Sequence, residues 1–468
     1  MTEPLWSWDA TALATAIRTR QLSSWEAVTA IIERLDQVNP SVNAVVVVRR
    51  EEALAEAERA DQSLLRGEPI GPLHGVPVTI KDNVDQAGYA TVNGVAANRG
   101  LVATTDSPPV ANWKRAGAII VGRTNTPAYS LRWHTENEVW GRTFNPWARR
   151  RTPGGSSGGA AAAVATGIGS LAHGSDLGGS VRYPAYCCGV AGIRPTLGRL
   201  ASFNGTAAVE RPITGQLMAV QGVLARRVGD VRLGYHAMSP GDPRDPWWVP
   251  APLAFPDTPK HLRVALCPAP AGMTVHPAVA DAVRLAGAIL GAAGYQVELA
   301  EPPGIERMFE VWAHTVTTDL RSTMGALIEQ HADLGARTAI GLWFDLFPPV
   351  GLDDYIRLVA ERAKHLRDWQ LFMERYPIVV GPNSGQPPFE VGFDCRDLDS
   401  TRRLLEAQRL MAVVNGLGLP SVAVPIGRYD DGPLGVQVIA NRYREEEALI
   451  AAEAIEAGGP IVTPIEPR

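Results

Sequence analysis

Apolar and polar positions along this 468-residue chain fall into short alternating runs and longer helical stretches that take turns along its length. Residues 1–40 predict two helices, the second opened by Ser23-Ser24-Trp25-Glu26, a capping-box pattern. Val45–Val48 is apolar but too short and isolated to place. Residues 51–66, rich in alanine and glutamate, predict a helix. The run GVPVTIK alternates like a buried strand and ends at Lys81, after which Asp82-Asn83 turn the chain. A helix over 111–116 leads into a strand over 118–121. Residues 236–262, rich in proline, read as a long surface connection. Beyond it come a strand over 262–266, a helix over 278–293 and a strand at Gln296–Leu299, as if the same sheet resumes. Residues 305–376 are mainly helical and rich in tryptophan and phenylalanine; strands over 420–425 and 435–439 and a helix over 444–457 close the chain. Repeated strand and helix alternation predicts an α/β fold.

Composition narrows the function classes. With 46% hydrophobic and 20% charged residues the chain can bury a large core, and disorder is excluded. A formal net charge of −5 provides no basic field for nucleic acid, so Arg149-Arg150-Arg151 reads as a solvated local cluster. Cys187, Cys188, Cys267 and Cys395 show no metal-ligand spacing and read as reduced thiols of a cytoplasmic protein. No signal peptide and no bilayer-length apolar run is present in the sequence, so no membrane association is expected. Of the 44 basic residues only Lys81, Lys114, Lys260 and Lys364 are lysine. Where surface charge alone is wanted, arginine supplies it. Lysine can lose its proton under burial and arginine in practice cannot, so Lys81, at the end of an apolar run, stands out. The bland alternative is a lysine snorkelling at the strand end or paired with Asp82.

TPGGSSGGAAAAVATG, residues 152–167, runs a glycine-serine loop straight into a helix. Such a loop presents free backbone N–H groups at a positive helix end, where an anion or a developing negative charge is held. The lysine of a phosphate loop is missing. Gly154-Gly155-Ser156-Ser157-Gly158 formally matches a nucleophile elbow, but no strand precedes it, and a late histidine such as His365 lies in charged helical sequence that reads as a solvated face. An α/β-hydrolase esterase is therefore a remote alternative. A second element, SDLGGSVRYPAYCCG, sets Gly178-Gly179 beside Ser180, a hydroxyl among consecutive N–H donors.

Taken together, the strand-end lysine of GVPVTIKDN, the block NPWARRRTPGGSSGGAAAAVA and HGSDLGGSVRYPAYCCGVAGIRPTLGR resemble the amidase signature family of serine hydrolases. The separations of 75 residues from Lys81 to Ser156 and 24 from Ser156 to Ser180 match as well. Ser175, where threonine is usual, and the doubled Cys187-Cys188 are departures. The resemblance implies a mixed central sheet flanked by helices on both faces, one domain over 1–468, a catalytic core over about 70–235 and a variable helical substrate-side region over about 301–376. It implies Ser180 as nucleophile, Ser156 as proton relay after a cis Gly155–Ser156 peptide, Lys81 as buried neutral base, and an oxyanion hole from the N–H groups of Leu177, Gly178, Gly179 and Ser180. Asp176 and Arg182 are expected to brace the nucleophile loop and Ser157 to be structural. No cofactor and no metal are implied.

The expected reaction is hydrolysis of a small, largely apolar amide through an acyl-enzyme. Carbamate, urethane, urea-derivative or ester hydrolysis and a glutamine-hydrolysing amidotransferase subunit are the alternatives. For the substrate, Tyr129, Ser130, Leu131 and Trp133 in one segment and Trp343, Phe344 and Phe347 in another are candidate pocket walls, with Arg132, His134 and Glu136 as polar candidates. The partner is a small molecule, and the expected assembly is a monomer or homodimer.

Overall fold

The computed structural model describes residues 3–255, 262–460 and 463–468. Its strands are β1 (Val45–Val48), β2 (Pro77–Lys81), β3 (Ile119–Thr124), β4 (Glu136–Asn137), β5 (Gly141–Arg142), β6 (Leu171–Asp176), β7 (Ala191–Arg194), β8 (Val220–Ala225), β9 (Arg263–Leu266), β10 (Gln296–Leu299), β11 (Ile378–Pro382), β12 (Ser421–Tyr429) and β13 (Gly432–Ala440). All but the β4–β5 pair join one eleven-stranded sheet in the order β1-β3-β2-β6-β8-β7-β12-β13-β11-β9-β10. The sheet is mixed: β3, β2 and β6 run parallel, as do β11, β9 and β10, and antiparallel pairs join the two groups. Every residue of β2, β3, β8, β11 and β13 is buried, so helices cover both faces, which is why these strands read as apolar runs. The sheet continues across the proline-rich connection, of which residues 256–261, Lys260 among them, lie outside the described residues.

Local signals set many element ends. Ser23 and Glu26 form the expected reciprocal capping box at the helix Ser24–Val42. Val45–Val48, unplaced by its pattern, is an edge strand, antiparallel to β3. Only a partner far along the chain gives so short a run its ladder. Arg149-Arg150-Arg151 is solvated in part but not free: Arg150 and Arg151 pair with Asp430 and Asp431. His365 departs from expectation, being 5% exposed on the helix Leu352–Arg375, where its Nε2 lies 3.2 Å from Glu361. Glu361, one turn back, shares its face, while Lys364 and Arg367 are exposed on the other side of that helix.

The topology that matters for chemistry is the parallel pairing of β2 with β6. Parallel neighbours end at the same edge, so Lys81 at the end of β2 comes beside Ser175 and Asp176 at the end of β6. The helix Gly158–Ala165 is buried at every residue, and small side chains let it lie close to neighbouring backbone. A Cβ on Gly159 would stand 2.5 Å from the Asn125 nitrogen and 2.7 Å from the Ala44 oxygen. Gly159→Ala is therefore expected to lower stability by about 1–3 kcal/mol, as overpacking does, despite alanine's better helix propensity. A denaturant titration that finds it at least as stable as the parent would contradict this packing.

Candidate active site

Lys81 is fully buried, and its Nζ stands 2.7 Å from Ser156 Oγ and 3.1 Å from Ser175 Oγ. Among the described residues no carboxylate pairs with it: Asp82 is paired with Arg123 at 2.8 Å, so the Lys81–Asp82 alternative does not form. Burial pushes the Lys81 amine down from 10.5 to about 7, with the Asp176 charge opposing the shift. The amine is thus poised to exchange a proton near neutrality.

Asp176 closes the other end of the site. Burial disfavours its charge, but the bidentate Arg182 and the N–H groups of Gly179 and Val181 outweigh that cost and hold it well below the usual carboxylate range. Arg182 in turn donates to Gln437 and Asn415, and Asn415 Nδ2 donates to the Asp176 carbonyl. The Gly155–Ser156 peptide is cis, and the Ser157 N–H donates to the Ser180 carbonyl at 3.1 Å, tying the two serine loops together. Ser180 Oγ has no hydrogen-bond partner among the described residues, and Ser180 lines a cavity. The four expected oxyanion donors fall into two groups. Gly179 donates its N–H to Asp176 Oδ1 at 2.8 Å and is engaged in bracing the loop, whereas the N–H groups of Leu177, Gly178 and Ser180 have no partner among the described residues.

A profile of the Amidase family matches residues 26–449, which include every residue of this cluster. The chain belongs to the amidase family. An indoleacetamide hydrolase of Bradyrhizobium diazoefficiens is 44% identical over 97% of this chain and 87% of its own length. Among solved structures, 6-aminohexanoate cyclic dimer hydrolase in complex with its substrate has a TM-score of 0.84 at 29% identity and covers 98% of both chains. A bacterial aryl acylamidase has a TM-score of 0.84 at 25% identity, over 98% of this chain and 97% of its own. This amidase is accordingly a hydrolase of amide carbon–nitrogen bonds.

The cavity of the amidase beside Ser180 is mostly apolar. Ser130, Leu131, Trp133 and Trp343 line it as their segments led one to expect. Tyr129 and Phe344 do not. Trp343 and Phe344 are consecutive on the helix Leu334–Leu346, about 100° apart, so one helix face cannot present both; Arg321 lies over the Phe344 ring instead. Tyr129 sits in the tight turn Ala128–Ser130 at φ +54° and is not among the residues that line the cavity. Phe347 packs edge-on against Phe309. Trp312, Val316 and Leu320 complete the wall and were missed, although their four-residue spacing on the helix Ile305–His331 marks one face. Arg132 reaches the cavity too, but Asp394 takes its guanidinium in a bidentate pair, and His134 bonds Thr152 outside the cavity. Among the described residues no set of histidine, cysteine and carboxylate side chains is arranged to hold a metal ion, and no helix is long and apolar enough to cross a membrane.

A lysine whose folded value lies near 7 and unfolded value near 10.5 binds fewer protons folded than unfolded between those limits, so its penalty on stability is full below pH 7 and fades as pH rises toward 10. Lys81→Met removes that penalty. Its melting temperature relative to wild type is expected to be most favourable, and flat, below pH 7 and to lose ground above it. A difference independent of pH from 6 to 10 would mean that Lys81 is not neutralised by burial.

Proposed function

We propose that this amidase hydrolyses small primary amides of the aryl-acetamide class, indoleacetamide being the model compound, through an acyl-enzyme on Ser180. One observation carries the substrate class: Ser180 opens into a cavity walled by Trp133, Trp312 and Trp343, whose ring centroids lie 4.9 to 6.4 Å apart, with Leu131, Val316 and Leu320 between them. Such a wall binds a flat apolar ring by burial and stacking. The name of the 44% identical relative supports the same class. A glutamine substrate brings an ammonium and a carboxylate, and the charged side chain at the cavity, Arg132, is already matched by Asp394.

The chemistry follows from the cluster. Neutral Lys81 accepts a proton from Ser156, which accepts one from Ser180 as the Ser180 oxygen adds to the amide carbonyl. Negative charge that develops on the carbonyl oxygen is met by the free N–H groups of the Leu177–Ser180 loop. Ser156 then delivers a proton to the amide nitrogen and takes back the one held by Lys81, the carbon–nitrogen bond breaks, and ammonia leaves. Water adds to the acyl carbon with the same relay as base, and the carboxylic acid departs as the Ser180 hydroxyl is restored.

Four experiments test the reading. Turnover of indoleacetamide, acetamide, an acyl anilide, an aryl carbamate and glutamine is compared under one set of conditions, and the aryl-acetamide is expected to have the highest kcat/KM. Glutamine as the best substrate, with the aryl amides untouched, would overturn it. Ser180→Ala should abolish turnover and covalent labelling by a serine-directed sulfonyl reagent. The kcat/KM of the wild type should fall about tenfold per pH unit below pH 7 as Lys81 takes up its proton. Lys81→Arg cannot act as base and should be as inactive as Lys81→Ala.

A further inference from the structure

We infer that Trp312 is a positioning residue of the oxyanion hole, holding the Leu177–Gly178 peptide so that its N–H points at the reacting carbonyl oxygen. The inference rests on the reading of Ser180 as nucleophile. Trp312 comes from the helix Ile305–His331, 135 residues beyond Leu177, and its indole Nε1–H donates to the Leu177 carbonyl at 3.2 Å. In a planar trans peptide the C=O and the following N–H point in opposite directions. Fixing the Leu177 oxygen therefore fixes the direction of the Gly178 N–H, which has no partner among the described residues. Glycine at 178 is what lets the ring come this close, since a Cβ there would stand 2.9 Å from Trp312 Cζ2.

The neighbouring peptide shows the contrast. Trp133 Nε1 donates to the Gly178 carbonyl at 3.0 Å, and the N–H of that same peptide, on Gly179, donates to Asp176. With both ends engaged, the Gly178–Gly179 peptide is a clamp. The Leu177–Gly178 peptide is held at one end and open at the other, as a donor to a transient anion must be. Trp312 itself is 1% exposed and stacks on Phe309 at 5.9 Å, so the strut is rigid. The ring that walls the substrate cavity and the ring that aims the Gly178 N–H are thus one residue.

Trp312→Phe keeps an aromatic wall and removes the donor. On an aryl-acetamide its kcat is expected to fall about tenfold to a hundredfold, less than outright loss of an oxyanion donor, while KM stays within about threefold. An arylalkyl boronic acid, whose tetrahedral serine adduct places an oxygen in the hole, should lose affinity by a factor matching the fall in kcat. The carboxylic acid product should not. Trp343→Phe makes the same truncation in the same wall, but Trp343 donates to no atom of the loop, so its effect should fall on boronate and product binding alike, and its loss of kcat should be smaller than that of Trp312→Phe. Equal losses of kcat from the two variants, or boronate binding unchanged in Trp312→Phe, would overturn the inference while leaving Ser180 in its role. A boronate that binds wild type no better than Ser180→Ala overturns both. Should Trp312→Phe not fold, benzothienylalanine at 312 preserves the shape without the N–H and carries the same expectations.

Discussion

An amine buried without a carboxylate in contact is the constraint on which the rest of this site depends. Charging Lys81 in the interior costs several kcal/mol, and the protein avoids that cost by surrounding Nζ with hydroxyls, those of Ser156 and Ser175, rather than with an anion. The nearby carboxylates are committed elsewhere, Asp82 to Arg123 and Asp176 to Arg182. A direct ion pair to either would raise the lysine back toward its ordinary value and remove its use as a base near neutrality. The abundance of arginine in the sequence fits this division: permanent cations balance the buried acids, and a lysine remains where a proton must move.

The nucleophile loop answers a different demand, that of remaining rigid while carrying unsatisfied donors. Asp176 takes two of its N–H groups and Arg182 fixes Asp176, with Asn415 and Gln437 locking Arg182 from the far strands and helices. Indole N–H groups hold two of its carbonyls from the substrate side. What remains without a partner among the described residues is the N–H groups of Leu177, Gly178 and Ser180.

Substrate side and chemistry side are therefore not separable layers. Helices of the 301–376 region bring Trp312 and Trp343 onto a catalytic sheet edge formed by residues before 235, and the cavity exists only where the two meet. Variation in those helices would alter the shape of the wall and, through Trp312, the loop beneath it.

The sequence by itself determined the alternation of strands and helices, the glycine-rich loops and the family, because short-range periodicity, turn chemistry and motif spacing are local properties. It also marked which lysine to watch. Tertiary structure alone decided that Val45–Val48 joins the sheet, that Arg132 is neutralised by Asp394, that His365 is buried, and that the Gly179 N–H bonds Asp176. It also chose Trp343 over Phe344 and added Trp312. Those outcomes turn on which partner, often hundreds of residues away, arrives at a given face. A local pattern records that a side chain is apolar or charged, but not what the fold will place against it.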